Sequence, residues 1–249
     1  MSKYTLECCV DSTESAIAAA KGGADRLELC AALIIGGTSP SPALYEQIRK
    51  CCNLPIRVLL RPRFGDFLYT EHEFEIIKRE VELFREAGAD GVVIGCLRAD
   101  GALDMERMEK LMKAAGTMQV TLHRAFDVCA DPIRTYEQAG ELGIDTILTS
   151  GQQNDCLTGM ALLKELCELR RKQGGPQIMA GAGVTPDVIR QFVAQTDITS
   201  YHLSAKKIVD SGMRFRKKGV PMGLPAMSEY GIYQTDSRIV EEAVRALGR

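Results

Sequence analysis

Six side chains that can move protons or hold an anion fall at or just beyond the ends of short apolar runs: Glu7, Glu28, Arg61, His123, Asp127 and His202. Brought together in a low-dielectric interior, such carboxylates, imidazoles and guanidinium make a general acid–base site with an anion clamp, because burial shifts each pKa and strengthens each charge. In that arrangement Glu7 or Glu28 is the base, His123 or His202 its acid–base partner, and Arg61 orients a small anionic substrate. Asp127 follows His123, and Arg63 and Asp66 follow Arg61. The competing reading of the same residues is an internal ion-pair lattice, with Glu7 and Glu28 neutralising Arg26 and Arg61.

Cys9 and Cys30 close equivalent ends of neighbouring runs, on the face that the alternation turns inward. Adjacent strands lie ~4.8 Å apart, so two thiolates there suit a soft monovalent ion such as Cu(I). A pair of inert buried thiols is the alternative. Cys8 turns the other way, into the helix layer. A third cluster is MAGAGVTPD (179 to 187), which ends a run and opens a helix capped at Thr185. Gly181 and Gly183, with Ser204, Lys206 and the positive end of a short helix after the last strand, could cradle an anion. Close packing of a helix on small residues explains the glycines equally well. His72 and the stretch 136 to 143 (YEQAGELG) read as solvated.

The elements that must position these groups are strands near residues 4–10, 25–30, 55–61, 90–96, 118–123, 144–149, 176–181 and 199–204, separated by longer segments of helical period. In DRLELC (25 to 30), period two puts Leu27 and Leu29 on one face and Arg26, Glu28 and Cys30 on the other. Helices begin at Asp11 with Glu14, Ser41-Pro42, Thr70 with Glu73, Asp131-Pro132 and Thr185-Pro186, where a short polar side chain caps free N–H groups. A glycine-to-aspartate turn recurs before strands two, four and six, as Gly23-Ala24-Asp25, Gly88-Ala89-Asp90 and Gly143-Ile144-Asp145. Strict alternation demands parallel strands with right-handed crossovers. Inward charges select a closed α/β barrel of the (β/α)8 TIM type over an open doubly wound sheet, which has no polar interior. The mouth of such a barrel lies at the C-terminal ends of its strands, where all the candidate residues fall.

A chain of 249 residues fits one such domain, spanning 1–249, with a core that needs no disulfides. The segment 206–234 is too long for an ordinary connection and reads as an ordered functional loop or an interface. A net charge of -2 offers no field for a polyanion, so no nucleic acid partner is expected. No apolar run approaches the ~18 residues of a membrane span, and the start MSKYTLECCVDS carries no secretion signal. Nine cysteines, an odd number without zinc spacing, then read as reduced thiols in the cytoplasm.

Taken in order, GADRLEL (23 to 29), GGTSPSP (36 to 42), LLRPRFGDFLY (59 to 69), LHRAFD (122 to 127), ILTSGQ (147 to 152), IMAGAGV (178 to 184), HLSAK (202 to 206) and SGMRFR (211 to 216) resemble the CutC copper homeostasis family over essentially the whole chain. The resemblance implies a cytoplasmic single-domain barrel that self-associates, a dimer being favoured, with Cys9 and Cys30 matching cysteines proposed as copper ligands. Ser39 stands where the family more often has threonine, a change that should preserve the turn. The expected ligands are thus copper(I) or a small anion, with no organic cofactor. An enzyme of unknown reaction acting on a small anionic substrate stays open beside the copper reading. So does an assembly module built on the 206–234 segment.

Overall fold

The computed structural model describes residues 3–220, 222–223 and 227–249. Eight parallel strands hydrogen-bond in sequence order into a closed barrel, β8 returning to β1. They are β1 (Thr5–Val10), β2 (Arg26–Leu29), β3 (Ile56–Leu59), β4 (Gly91–Ile94), β5 (Gln119–Leu122), β6 (Thr146–Thr149), β7 (Gln177–Ala180) and β8 (Ser200–Leu203). Around them run α1 (Thr13–Lys21), α2 (Pro42–Arg49), α3 (Glu71–Glu86), α4 (Met105–Ala115), α5 (Pro132–Glu141), α6 (Met160–Gln173), α7 (Pro186–Gln195) and α8 (Ser237–Ala246). This is the expected (β/α)8 architecture. No helix among the described residues is long and apolar enough to cross a membrane.

Alternation sorts each strand between two environments. Leu6, Cys8, Leu27, Leu29, Val58 and Leu60 face the helix layer and are almost wholly buried. Each leucine so removed from water contributes about 2 kcal/mol. Glu7, Cys9, Glu28 and Arg57 fall on the opposite, inner face and are also buried.

The recurring glycine-aspartate turn is a strand clamp. Gly23, Gly88 and Gly143 take positive φ (90°, 80° and 74°), which permits the reversal out of the preceding helix. Each aspartate then reaches to the strand before its own. Asp25, Asp90 and Asp145 accept side-chain hydrogen bonds from the N–H groups of Leu6, Ile56 and Val120 at 2.8, 2.9 and 2.7 Å. Their own N–H groups donate back to the carbonyls of the same three residues. The first hydrogen bond of three strand pairs is thereby fixed.

Helix starts follow the sequence reading at Ser41, Thr70, Asp131 and Thr185, with a full capping box at Thr70 and Glu73. The first helix differs. Ser12, not Asp11, caps α1 by accepting from Ser15 N–H, while Asp11 turns to accept from Leu33 N–H at 3.2 Å. The stretch 136–143 is also less solvated than its polarity suggested: Tyr136 and Ala139 are buried, and the Tyr136 hydroxyl donates to Gly174 O at 2.8 Å. His72 is exposed, as read.

The 206–234 segment contains an antiparallel hairpin, β9 (Lys206–Asp210) with β10 (Gly231–Thr235), which stands outside the barrel; Pro221 and residues 224–226 lie outside the described residues. β8 passes almost directly into β9, so the short helix expected after the last strand is replaced by a strand.

Candidate functional site at the barrel mouth

The ends of β1, β2 and β8 bring Glu7, Cys9, Glu28 and His202 together, because parallel register sets Glu7 beside His202 on one side and Cys9 beside Glu28 on the other. Glu7 lies deepest. It accepts from Arg26 Nε at 2.5 Å and from His202 Nδ1 at 2.8 Å. Burial alone would raise its pKa, but these cations outweigh it and bring Glu7 down to about 2. His202 Nε2 stands 3.6 Å from Glu28. Burial opposes charge on the imidazole, yet the Cys9 and Glu28 charges and the bond to Glu7 hold His202 well above its ordinary value. Glu28 lacks so close a cation and burial pushes it up to about 7.

The ligand atoms of Cys9, Glu28 and His202 all lie within 4.8 Å of one another. Thiol, imidazole and carboxylate at that spacing are a donor set of the kind that can hold a metal ion. The Nδ1 bond to Glu7 orients His202 in the manner of carboxylates that stand behind ligating histidines. Cys30 is placed differently from the expected thiol pair. Register sets Glu28, not Cys30, beside Cys9; the Cys30 thiol donates to Val10 O at 3.5 Å and packs with Leu33, Leu59 and Val93. Burial raises its pKa first, and the charge of nearby Cys9 second.

Across the mouth the expected clamp residues have other duties. Arg61 donates to the carbonyls of Gly36 (3.4 Å), Gly37 (3.2 Å) and Gly65 (2.6 Å), tying the loops after β2 and β3 together. Asp127 accepts from Thr149 Oγ1, from the Ser150 and Gln152 N–H groups and from Arg124 Nε, which makes it a brace between the loops after β5 and β6. His123 accepts at Nδ1 from Ala125 N–H at 3.2 Å, and burial, then Arg61, brings its pKa down to about 3. Arg63 pairs with Asp66 (2.9 Å) and Glu73 (2.7 Å). Ser39 keeps its turn by accepting from Arg61 N–H and donating to Glu80.

The anion cradle expected near the last strands is not assembled. Lys206 is exposed on β9, its ammonium 5.3 Å from the Tyr233 ring, and the Ser204 carbonyl accepts from Thr235. Gly183, at φ 72°, faces Asp155, whose charge opposes an anion. Gly181 is needed for packing, since a Cβ there would come within 2.4 Å of Leu148.

Two residues escaped the sequence reading. Arg57, two strand steps before Arg61, spans the closed end of the barrel to Thr121, Thr146 and Gln119. Period two counted back from Arg61 would have found it. Phe67 packs against His123, the ring centroids 4.7 Å apart and the planes tilted by 41°; a lone loop aromatic gives no signal in sequence. A cavity of about 360 Å³ opens among Glu28, Leu59, Arg61, Phe67, His123 and His202. A second, of about 510 Å³, lies between the start of α1 and the hairpin, but among the described residues no set of ligating side chains converges on it.

Comparison with known proteins agrees with this fold. The CutC family profile matches residues 4–207. The CutC protein of Sodalis glossinidius is 45% identical over 243 residues, covering 97% of this chain and 95% of that one. The human copper homeostasis protein cutC homolog is 41% identical over 94% of this chain and 85% of its own. The crystal structure of CutC from Streptococcus agalactiae superposes with a TM-score of 0.76 at 27% identity, over 81% of this chain and 98% of that one. This chain belongs to the CutC family.

Proposed function

We propose that this chain serves copper homeostasis by taking Cu(I) as cargo at the barrel mouth, with Cys9 Sγ and His202 Nε2 as the principal ligands and Glu28 on the third side. The observation that carries this reading is the convergence of those three groups within 4.8 Å. Sulfur and imidazole suit Cu(I). Ligation needs Cys9 as thiolate and His202 without its Nε2 proton, so Cu(I) binding displaces protons. Cys30 is the neighbouring thiol, its present hydrogen bond directed to Val10 O. The names of the human and murine relatives, copper homeostasis proteins, support the same role. Nine free thiols suit a reducing compartment, and we assign the chain to the cytoplasm. Self-association as a dimer is part of the proposal, supported by the exposed Ile208, Met213, Phe215 and Ile232 of the hairpin segment.

The test is an anaerobic Cu(I) titration of the reduced protein against a competing chelator and excess glutathione. One-to-one binding abolished by Cys9→Ser and weakened about tenfold or more by His202→Phe is expected. Binding no tighter than glutathione's removes the reading.

A second reading is favoured by one observation. Glu28, at about 7, lies beside the His202 imidazole and opens onto the cavity, so it can exchange a proton near neutral pH. That is the arrangement of an acid–base enzyme, with Glu28 as base.

A further inference from the structure

Two buried guanidinium groups, Arg57 and Arg61, make no ion pair among the described residues. Arg57 sits at the closed end of the barrel in the field of Glu7 and Glu28. Arg61 sits at the cavity, 9% exposed, and its described acceptors are neutral carbonyls. Its Nε is buried without an acceptor. A desolvated cation held only by neutral groups is short of a counter-charge.

His123 lines the same cavity and is 4% exposed. Its Nδ1 accepts from Ala125, so in the neutral ring Nε2 carries the hydrogen, and that N–H has no partner either. Both donors flank one side chain. The Phe67 ring is 5.0 Å from the Arg61 guanidinium and 4.7 Å from the His123 ring. Leu59, Leu148 and Val128 supply an apolar wall.

We propose that this cavity binds a small organic carboxylate, its anionic end received by Arg61 and His123 and its carbon skeleton by Leu59, Phe67 and Leu148. The inference deepens and rests on the acid–base reading of the mouth, naming the class of molecule it admits; it needs no metal. A carboxylate suits the two spare donors and the single uncompensated charge. A phosphate dianion would need more donors, and Glu28 and Asp127 line the same cavity. Both unpartnered nitrogens are out of contact with solvent and Phe67 packs against both groups, so the inference requires that ring to move on binding.

Calorimetry of the copper-free, reduced full chain with acetate, hexanoate and 2-oxohexanoate, against hexanamide and inorganic phosphate, tests this. The six-carbon acids should bind, hexanamide and phosphate should not, and Arg61→Lys and His123→Phe should each weaken binding about tenfold. Because Arg61 also ties two loops, Phe67→Ala provides a second arm: it should bind hexanoate with a faster on-rate. Equal binding of hexanamide, preference for phosphate, or no carboxylate binding by either wild type or Phe67→Ala overturns the inference. Proton exchange at C3 of bound 2-oxohexanoate in D2O reads the acid–base reading separately: binding without exchange upholds the carboxylate site and counts against the enzyme.

Discussion

His202 donates from Nδ1 to Glu7 over 2.8 Å, and that bond decides what the imidazole offers to the mouth. With Nδ1 committed below, Nε2 faces Glu28 and the Cys9 thiol above. Glu7 is fully buried and held at the same time by Arg26, so the imidazole is oriented by a carboxylate that cannot itself move far.

Glu7→Gln should therefore destabilise the fold by about 3 kcal/mol, since Arg26 and His202 keep their burial and lose their counter-charge. Urea denaturation at pH 7 reads this. Glu7 is lowered from 4.5 to about 2 in the fold, so its contribution is complete above 4.5 and is lost as pH falls toward 2. The gap between wild type and variant should narrow over that window; a constant gap would mean that Glu7 is uncharged in the native state.

His123 works in the opposite sense. Its pKa falls from 6.5 to about 3 on folding, so between those values the unfolded chain binds a proton that the native chain refuses. The His123 contribution to native stability therefore falls as pH drops from 6.5 toward 3. His123→Phe, which keeps a ring against Phe67, should lose less stability than wild type between pH 6.5 and 4 in urea titrations. Parallel losses would show that the native imidazole takes up the proton.

Asp145→Ala leaves the buried Val120 N–H without its acceptor and should cost about 1–3 kcal/mol by chemical denaturation. Asp145→Asn, which retains an acceptor oxygen, should recover most of the loss. If both substitutions cost the same, the clamp acts through charge and not through that hydrogen bond.

The hairpin carries Ile208 and Ile232 at 63% and 54% exposure, on opposite faces, since Ile208 pairs with Tyr233 and Ile232 with Val209. Ile208→Asp together with Ile232→Asp should convert the proposed dimer to monomer in light scattering behind size exclusion, with the barrel's far-UV circular dichroism unchanged. A variant that elutes with the wild-type mass places the interface elsewhere.

The barrel was legible in the sequence because its signals are local. Period-two leucines, capping residues such as Thr70 with Glu73, and the glycine-aspartate turns each act within a few residues or between consecutive strands. The inward direction of Glu7, Glu28 and His202 followed from the same alternation.

What each inward side chain meets was decided by the closed barrel. Closure pairs β8 with β1 and so joins Glu7 to His202, 195 residues apart. The stagger of β1 on β2 gave Cys9 a carboxylate neighbour in place of the second thiol. Loop conformation turned Arg61 onto three carbonyls and Asp127 onto the next loop's N–H groups. Sequence determined which faces are polar, since that is a property of one strand; shear, closure and loop path determined the partners, since those are properties of the whole ring.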